Sequence, residues 1–198
     1  MLRLLPVLLA ALALPGAAAE LAVTVNSAGG VPLQGAVVFL ESEATARAVQ
    51  PMSQQEISQQ NKAFQPDQLV VTRGTAVNFP NRDTVRHHVY SFSPARRFEL
   101  KLYIGMPAEP VVFDTAGVAV LGCNIHDDMV AWVVIVDTPH FAGTDAAGRA
   151  VLRDVPPGTY RLRAWHRGML PGSPPSDQAL QLTAAGAAAT VSLTGVRP

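Results

Sequence analysis

From Glu20 onward the hydrophobic positions fall in short, β-branched runs punctuated by Gly, Pro, Asn and Asp, the pattern of strands joined by tight turns. Leu21–Val25 and Ala36–Leu40 predict two strands about a Gly29-Gly30 turn. The stretch from Ser42 to about Gln65 is polar and Gln-rich and reads as a linker with room for one helical turn. Strand patterns resume at Leu69–Thr72 and Ala76–Phe79 about the Arg73-Gly74 turn, then at His88–Phe92, Pro110–Phe113, Val118–Leu121 and Ala131–Val136. Beyond Thr138-Pro139 come a turn at Thr144–Gly148, a strand at Ala150–Leu152 and a Pro156-Pro157-Gly158 turn. Thr159–His166 then alternates, with Tyr160, Leu162 and Ala164 on one face, and Leu180–Leu182 and Thr190–Leu193 complete the pattern. Strands this short and this regularly interrupted predict an all-β sandwich or barrel.

The first residues do not fit that pattern. A basic start at Arg3, an apolar run over Leu4–Leu14 and small residues at Ala17–Ala19 form the three regions of a secretory signal peptide, with cleavage expected after Ala19. The apolar run is short for a membrane span, and no later stretch predicts one in the mature chain. The Ala-, Leu-, Arg- and Pro-rich composition points to a bacterial chain and hence to the periplasm. Fifteen basic residues balance fifteen acidic ones in a chain of 198 that is 48% hydrophobic, which argues against disorder and against nucleic-acid binding. The chain holds one cysteine, so an intrachain disulfide is excluded and a lone thiol in an oxidising compartment needs another explanation.

That cysteine begins the segment Cys123-Asn-Ile-His126-Asp-Asp-Met129, placed between two predicted strands. A thiolate, an imidazole and a thioether on one tight loop are soft donors of the kind copper prefers; zinc would leave Met129 unexplained. A blue-copper centre needs a second imidazole, and His87-His88 lie upstream on a predicted strand. Strand alternation sends His87 and Val89 to one face and His88, Tyr90 and Phe92 to the other. A dithiol redox role fails for want of a second cysteine, and no base-and-oxyanion arrangement suggests a thiol enzyme.

Phe79-Pro-Asn81-Arg-Asp83 ahead of His87, the Thr115-Ala116-Gly117 turn and the Cys-x2-His-x2-Met loop together resemble the cupredoxin family over Gly74–Val136, with a ligand loop like that of amicyanin. Gly35-Ala36-Val37, Thr144–Gly148 and Pro156–Tyr160 resemble the transthyretin-like, carboxypeptidase regulatory-like domain. The combination is similar to exported proteins labelled methylamine utilization proteins. These resemblances imply a cupredoxin Greek-key β-sandwich over 49–137, inserted in or packed beside a transthyretin-like β-sandwich formed by 20–48 plus 138–198, with a linker at about 42–63 after a signal peptide at 1–19. They imply one type 1 copper held by His87, Cys123, His126 and Met129. His88 stands where the family carries an Asn, and it and Asn81 are expected beside the site, His88 being the alternative ligand. The implied function is one-electron transfer in the periplasm without enzymatic activity, with a cytochrome or dehydrogenase as partner. Asp127 and Asp128 would make the docking edge acidic and favour a basic partner face. Copper storage or delivery, and a non-metal carbohydrate-binding-like module, are the alternative functions.

Overall fold

The computed structural model describes residues 18–197; the predicted signal segment, residues 1–19, lies outside them except for Ala18 and Ala19. In chain order, strands β1 (Ala19–Ser27) and β2 (Val37–Glu41) are followed by helix α1 (Glu43–Ala48). Next come β3 (Gln55–Glu56), β4 (Ser58–Gln60), β5 (Ala63–Gln65), β6 (Gln68–Thr72), β7 (Thr75–Asn78), β8 (His87–Ser93) and β9 (Arg96–Tyr103). The remainder is β10 (Val111–Phe113), β11 (Gly117–Cys123), β12 (Val130–Val136), β13 (Phe141–Gly143), β14 (Arg149–Val155), β15 (Gly158–Trp165), β16 (Gln178–Leu182) and β17 (Ala187–Leu193). The protein is a β-sandwich structure with a single six-residue helix among the described residues.

The strands divide into two lobes. In the first, β14-β1-β17 faces β13-β2-β15-β16. β1 runs antiparallel to β14 and parallel to β17, so its period-two pattern drives Leu21, Val23 and Val25 into a core with Val38, Leu40, Leu152, Leu162 and Leu182. In the second, β10-β7-β3 faces β6-β12-β11-β8-β9, and Phe79, Phe98 and Phe113 form an aromatic cluster with ring centroids 5.4–6.5 Å apart. Ile57, Val71, Val77, Val89, Leu121, Cys123, Met129, Val133 and Ile135 complete that core.

β2 and β12 read as unbroken apolar runs because each is covered on both faces. Val38 and Leu40 enter the first core, and Val133 and Ile135 enter the second. Their neighbours Val37, Phe39, Val134 and Val136 meet Trp165 in a third cluster that joins the lobes. A half-exposed strand would alternate; these do not, and burial between layers is the reason.

Two expectations need correction. The stretch read as a linker at about 42–63, with room for one helical turn, contains the short helix α1 and also β3 and β4. Ser42 caps α1, its Oγ accepting from Thr45 N–H at 3.2 Å while Thr45 Oγ1 accepts from Ser42 N–H at 2.8 Å. β3 pairs with β7, Ile57 is fully buried, and Gln59 is fully buried because Tyr103 satisfies its amide oxygen. Hydrogen bonding orders this segment together with the apolar anchor Ile57, so its polarity misleads. The second correction is β9, which the strand pattern did not reveal. It is an edge strand that turns Phe98 and Leu100 to the core and carries Arg96, Arg97, Glu99 and Lys101, the charge expected where an edge must resist pairing.

Candidate metal centre

One end of the second lobe gathers the chemistry. β8 begins at His87, β11 ends at Cys123, and the connection to β12 carries His126 and Met129. Antiparallel pairing of β8 with β11 sets Val89 opposite Cys123, which brings the start of one strand to the end of the other. The connecting loop closes with a hydrogen bond from Met129 N–H to His126 C=O at 3.0 Å. Alternation along β8 places His87, Val89 and Ser91 inside, while Phe92 is 73% exposed.

The nitrogen and sulfur donors of His87, Cys123 and His126 lie within 4.8 Å of one another. Cys123 Sγ is 3.8 Å from His87 Nδ1 and 4.0 Å from His126 Nδ1. A first-row metal about 2.3 Å from a thiolate and about 2.0 Å from an imidazole nitrogen would hold those two atoms about 3.7 Å apart in a trigonal plane. The observed spacing matches that separation. Met129, 1% exposed, and Cys123, 3% exposed, pack in the same core. Two imidazoles and one thiolate, with Met129 on the same loop and in the same core, fit a single type 1 copper.

His87 is held from behind. Its Nε2 lies 2.8 Å from Asp83 Oδ2, so with Nε2 carrying the proton, Nδ1 is left as a free donor toward Cys123. Asp83 also accepts from the N–H groups of Asn61 (2.7 Å) and Lys62 (2.9 Å), which form the β4–β5 turn. Asn61 and Lys62 both have φ near +55°, the turn geometry that directs successive N–H groups to one acceptor. Burial opposes the Asp83 charge, and the hydrogen bonds from Lys62, His87 and Asn61 outweigh it, holding the carboxyl below its ordinary range. Tyr103 is opposite in sign: burial and the nearby Cys123 push its phenol up. Its hydroxyl lies 2.7 Å from Gln59 Oε1 and 2.6 Å from Phe79 C=O.

His88 does not join the cluster. It is 8% exposed on the opposite side of β8, where its Nε2 is 3.0 Å from Glu99 Oε1 without the alignment of a hydrogen bond. Asn81 is buried and ties the loop ahead of β8 to the end of β9. Its Nδ2 donates to Val85 C=O (2.9 Å) and Tyr103 C=O (2.7 Å), while its Oδ1 accepts from Asp83 N–H (2.9 Å). Asp127 and Asp128 are exposed beside the half-buried His126, and Ile125 next to it is 46% exposed. Asp83 was legible as part of the motif ahead of His87 but not as the partner of its ring, and Gln59 and Tyr103 were not legible as neighbours of the site. The four-residue step from Asp83 to His87 was the available signal for the first; the other two become neighbours only through the fold.

No protein-family model matches the chain, and no curated protein matches it. Among solved structures it is similar to a purple cupredoxin from Nitrosopumilus maritimus, with 21% identity and a TM-score of 0.37 over 41% of this chain and 99% of that one. It is also similar to a reduced Cu(I) amicyanin variant, with 20% identity and a TM-score of 0.39 over 50% of this chain and 98% of that one. A pseudoazurin from Sinorhizobium meliltoi gives 20% identity and a TM-score of 0.35 over 44% of this chain and 77% of that one.

Proposed function

We propose that this protein is a type 1 copper electron carrier of the cupredoxin kind, exported to the periplasm, with His87, Cys123, His126 and Met129 as ligands. The observation that carries the reading is the His87–Cys123–His126 cluster, buried at its first two members and half-buried at the third, whose donors all lie within 4.8 Å. Copper bound there would supply a one-electron couple. The chain supplies the rest: Asp83 fixes the His87 ring, the end of β11 aims the Cys123 thiolate, and the core holds the Met129 thioether in place. Donors packed this deeply suit electron exchange with little rearrangement rather than turnover of a substrate. His126, half-buried on the loop, is the edge through which electrons pass, and Asp127-Asp128 beside it favour a partner with basic docking residues, such as a cytochrome or a dehydrogenase. In this reading the first lobe, built from β1, β2 and β13–β17, is a transthyretin-like support.

Loading the purified protein with Cu(II) and recording its visible spectrum tests the proposal. An intense thiolate-to-copper band is expected, absent from Cys123→Ala and His87→Ala and retained in His88→Ala. A folded protein without that band would overturn the electron-carrier reading, and tight Cu(I) binding by such a colourless protein would point to copper storage or delivery.

A further inference from the structure

A cleft of about 670 Å³ opens between the lobes, far from a simple seam in its composition. One wall is Val120, Val130 and Trp132 on the outward face of β11 and β12; the other is Trp165, Met169 and the Leu170–Pro175 turn. Apolar surface remains uncovered on both sides, with Val130 38% and Leu170 48% exposed. Its volume is that of a small-molecule site.

The wall after β15 is braced. His166 Nδ1 accepts from Gly168 N–H (3.0 Å), His166 Nε2 lies 3.1 Å from Gln34 C=O, and Gly168 C=O accepts from Arg197 N–H (2.8 Å). Gly168 is needed there, because an added Cβ would fall 2.6 Å from Arg197 O. Prolines at 171, 174 and 175 stiffen the rest. This turn sets Arg167 with its guanidinium carbon 6.0 Å from the Trp132 ring centroid, and Asp67 holds it at 2.5 Å.

Charge selects the occupant. The charged residues lining the cleft are Arg167 and Arg197; Asp67, outside the lining, already pairs with Arg167, so the positive charge left to an occupant is chiefly that of Arg197. A sugar would need side-chain acceptors as well as donors, yet the arginines and the two indole N–H groups only donate, and Ser93 and Ser173 are the side-chain acceptors in the lining, Ser93 Oγ already accepting from Val120 N–H. Two indoles and an apolar floor suit a flat hydrophobic body, and the arginines suit a negative group on it.

We propose that this cleft binds a small planar aromatic anion, of the aromatic carboxylate or sulfonate class. The proposal does not depend on copper, so its failure would leave the metal reading untouched. The chain holds two tryptophans and both line the cleft, so the two indole N–H signals of the ¹⁵N-labelled full chain report directly on it. Titration with 2-naphthoate is expected to shift both signals saturably. Neutral 2-naphthamide should bind at least about tenfold more weakly, the scale of a charge-assisted hydrogen bond. Arg197→Gln, and Arg167→Gln with it, should remove that preference, and Val120→Phe should weaken both ligands by filling the floor. Spectral dispersion verifies that each variant is folded. Absence of a saturable shift at millimolar naphthoate, equal affinity for the amide, or a preference that survives in the folded arginine variants would each overturn the proposal.

Discussion

Asp83 Oδ2 lies 2.8 Å from His87 Nε2, on the side of the ring away from Cys123. The pair is almost sealed from solvent, with side-chain exposures of 13% and 0%, and the β4–β5 turn donates two further N–H groups to the carboxylate. A carboxylate so placed sets the tautomer of the imidazole and raises its basicity toward a metal.

Asp83→Ala should therefore weaken Cu(II) binding by about 10–100-fold while leaving the apo fold in place. Loss of the negative charge favours Cu(I) over Cu(II), so the potential should rise. Competitive titration with a Cu(II) chelator and voltammetry measure the two effects; unchanged affinity would deny Asp83 this role.

Met129 separates packing from ligation. Met129→Leu conserves volume and should cost less than about 1.5 kcal/mol of apo stability, whereas Met129→Ala should cost about 2–5 kcal/mol. Both remove the thioether, so both should change the copper spectrum and potential alike. Denaturant melts of the apo protein against spectra of the copper-loaded protein distinguish the two contributions.

Gly148 ends the turn from Thr144 with φ +71°, and an added Cβ would lie 2.5 Å from Val25 C=O. Its own carbonyl accepts from Val25 N–H at 2.7 Å, so the turn cannot retreat without losing that bond. Gly148→Ala should destabilise the protein by more than the about 1–2 kcal/mol of the left-handed backbone alone, read from denaturant unfolding.

His166 gives a pH dependence of known sign. Burial lowers its pKa below 6.5; the Gln34 carbonyl opposes that and Arg167 adds to it. Between its folded value and 6.5 the unfolded chain binds more protons, so stability should fall as pH drops through that window and level off below it. His140, also lowered by burial, acts in the same direction. His166→Gln should flatten part of the fall in melting temperature between about pH 7 and about pH 5; an unchanged slope would remove His166 from the account.

Much of the fold was legible because strand-forming chemistry is local. Alternation in β1 and β15 and the turn residues at Gly74, Gly148 and Gly158 mark strands and their ends without reference to partners. The Cys123–Met129 loop was legible for the same reason, since its three candidate donors stand three positions apart. β9 and the segment from α1 to β5 were not, because their order depends on a neighbouring strand, on Gln59 meeting Tyr103, and on a helix cap with little apolar content.

By itself the sequence determined that the chain is built of short strands and carries thiolate, imidazole and thioether on one loop with two histidines upstream. Only the tertiary structure decided which histidine meets the sulfur: pairing between β8 and β11 brings His87 to 3.8 Å from Cys123 and turns His88 toward Glu99. Strand periodicity separates the two side chains, but which face is the inner one depends on the sheet packed against it. The same holds for the Asn61-Lys62 turn that meets Asp83 and for the two tryptophans across the cleft. These are contacts between segments distant in sequence, and no local pattern encodes them.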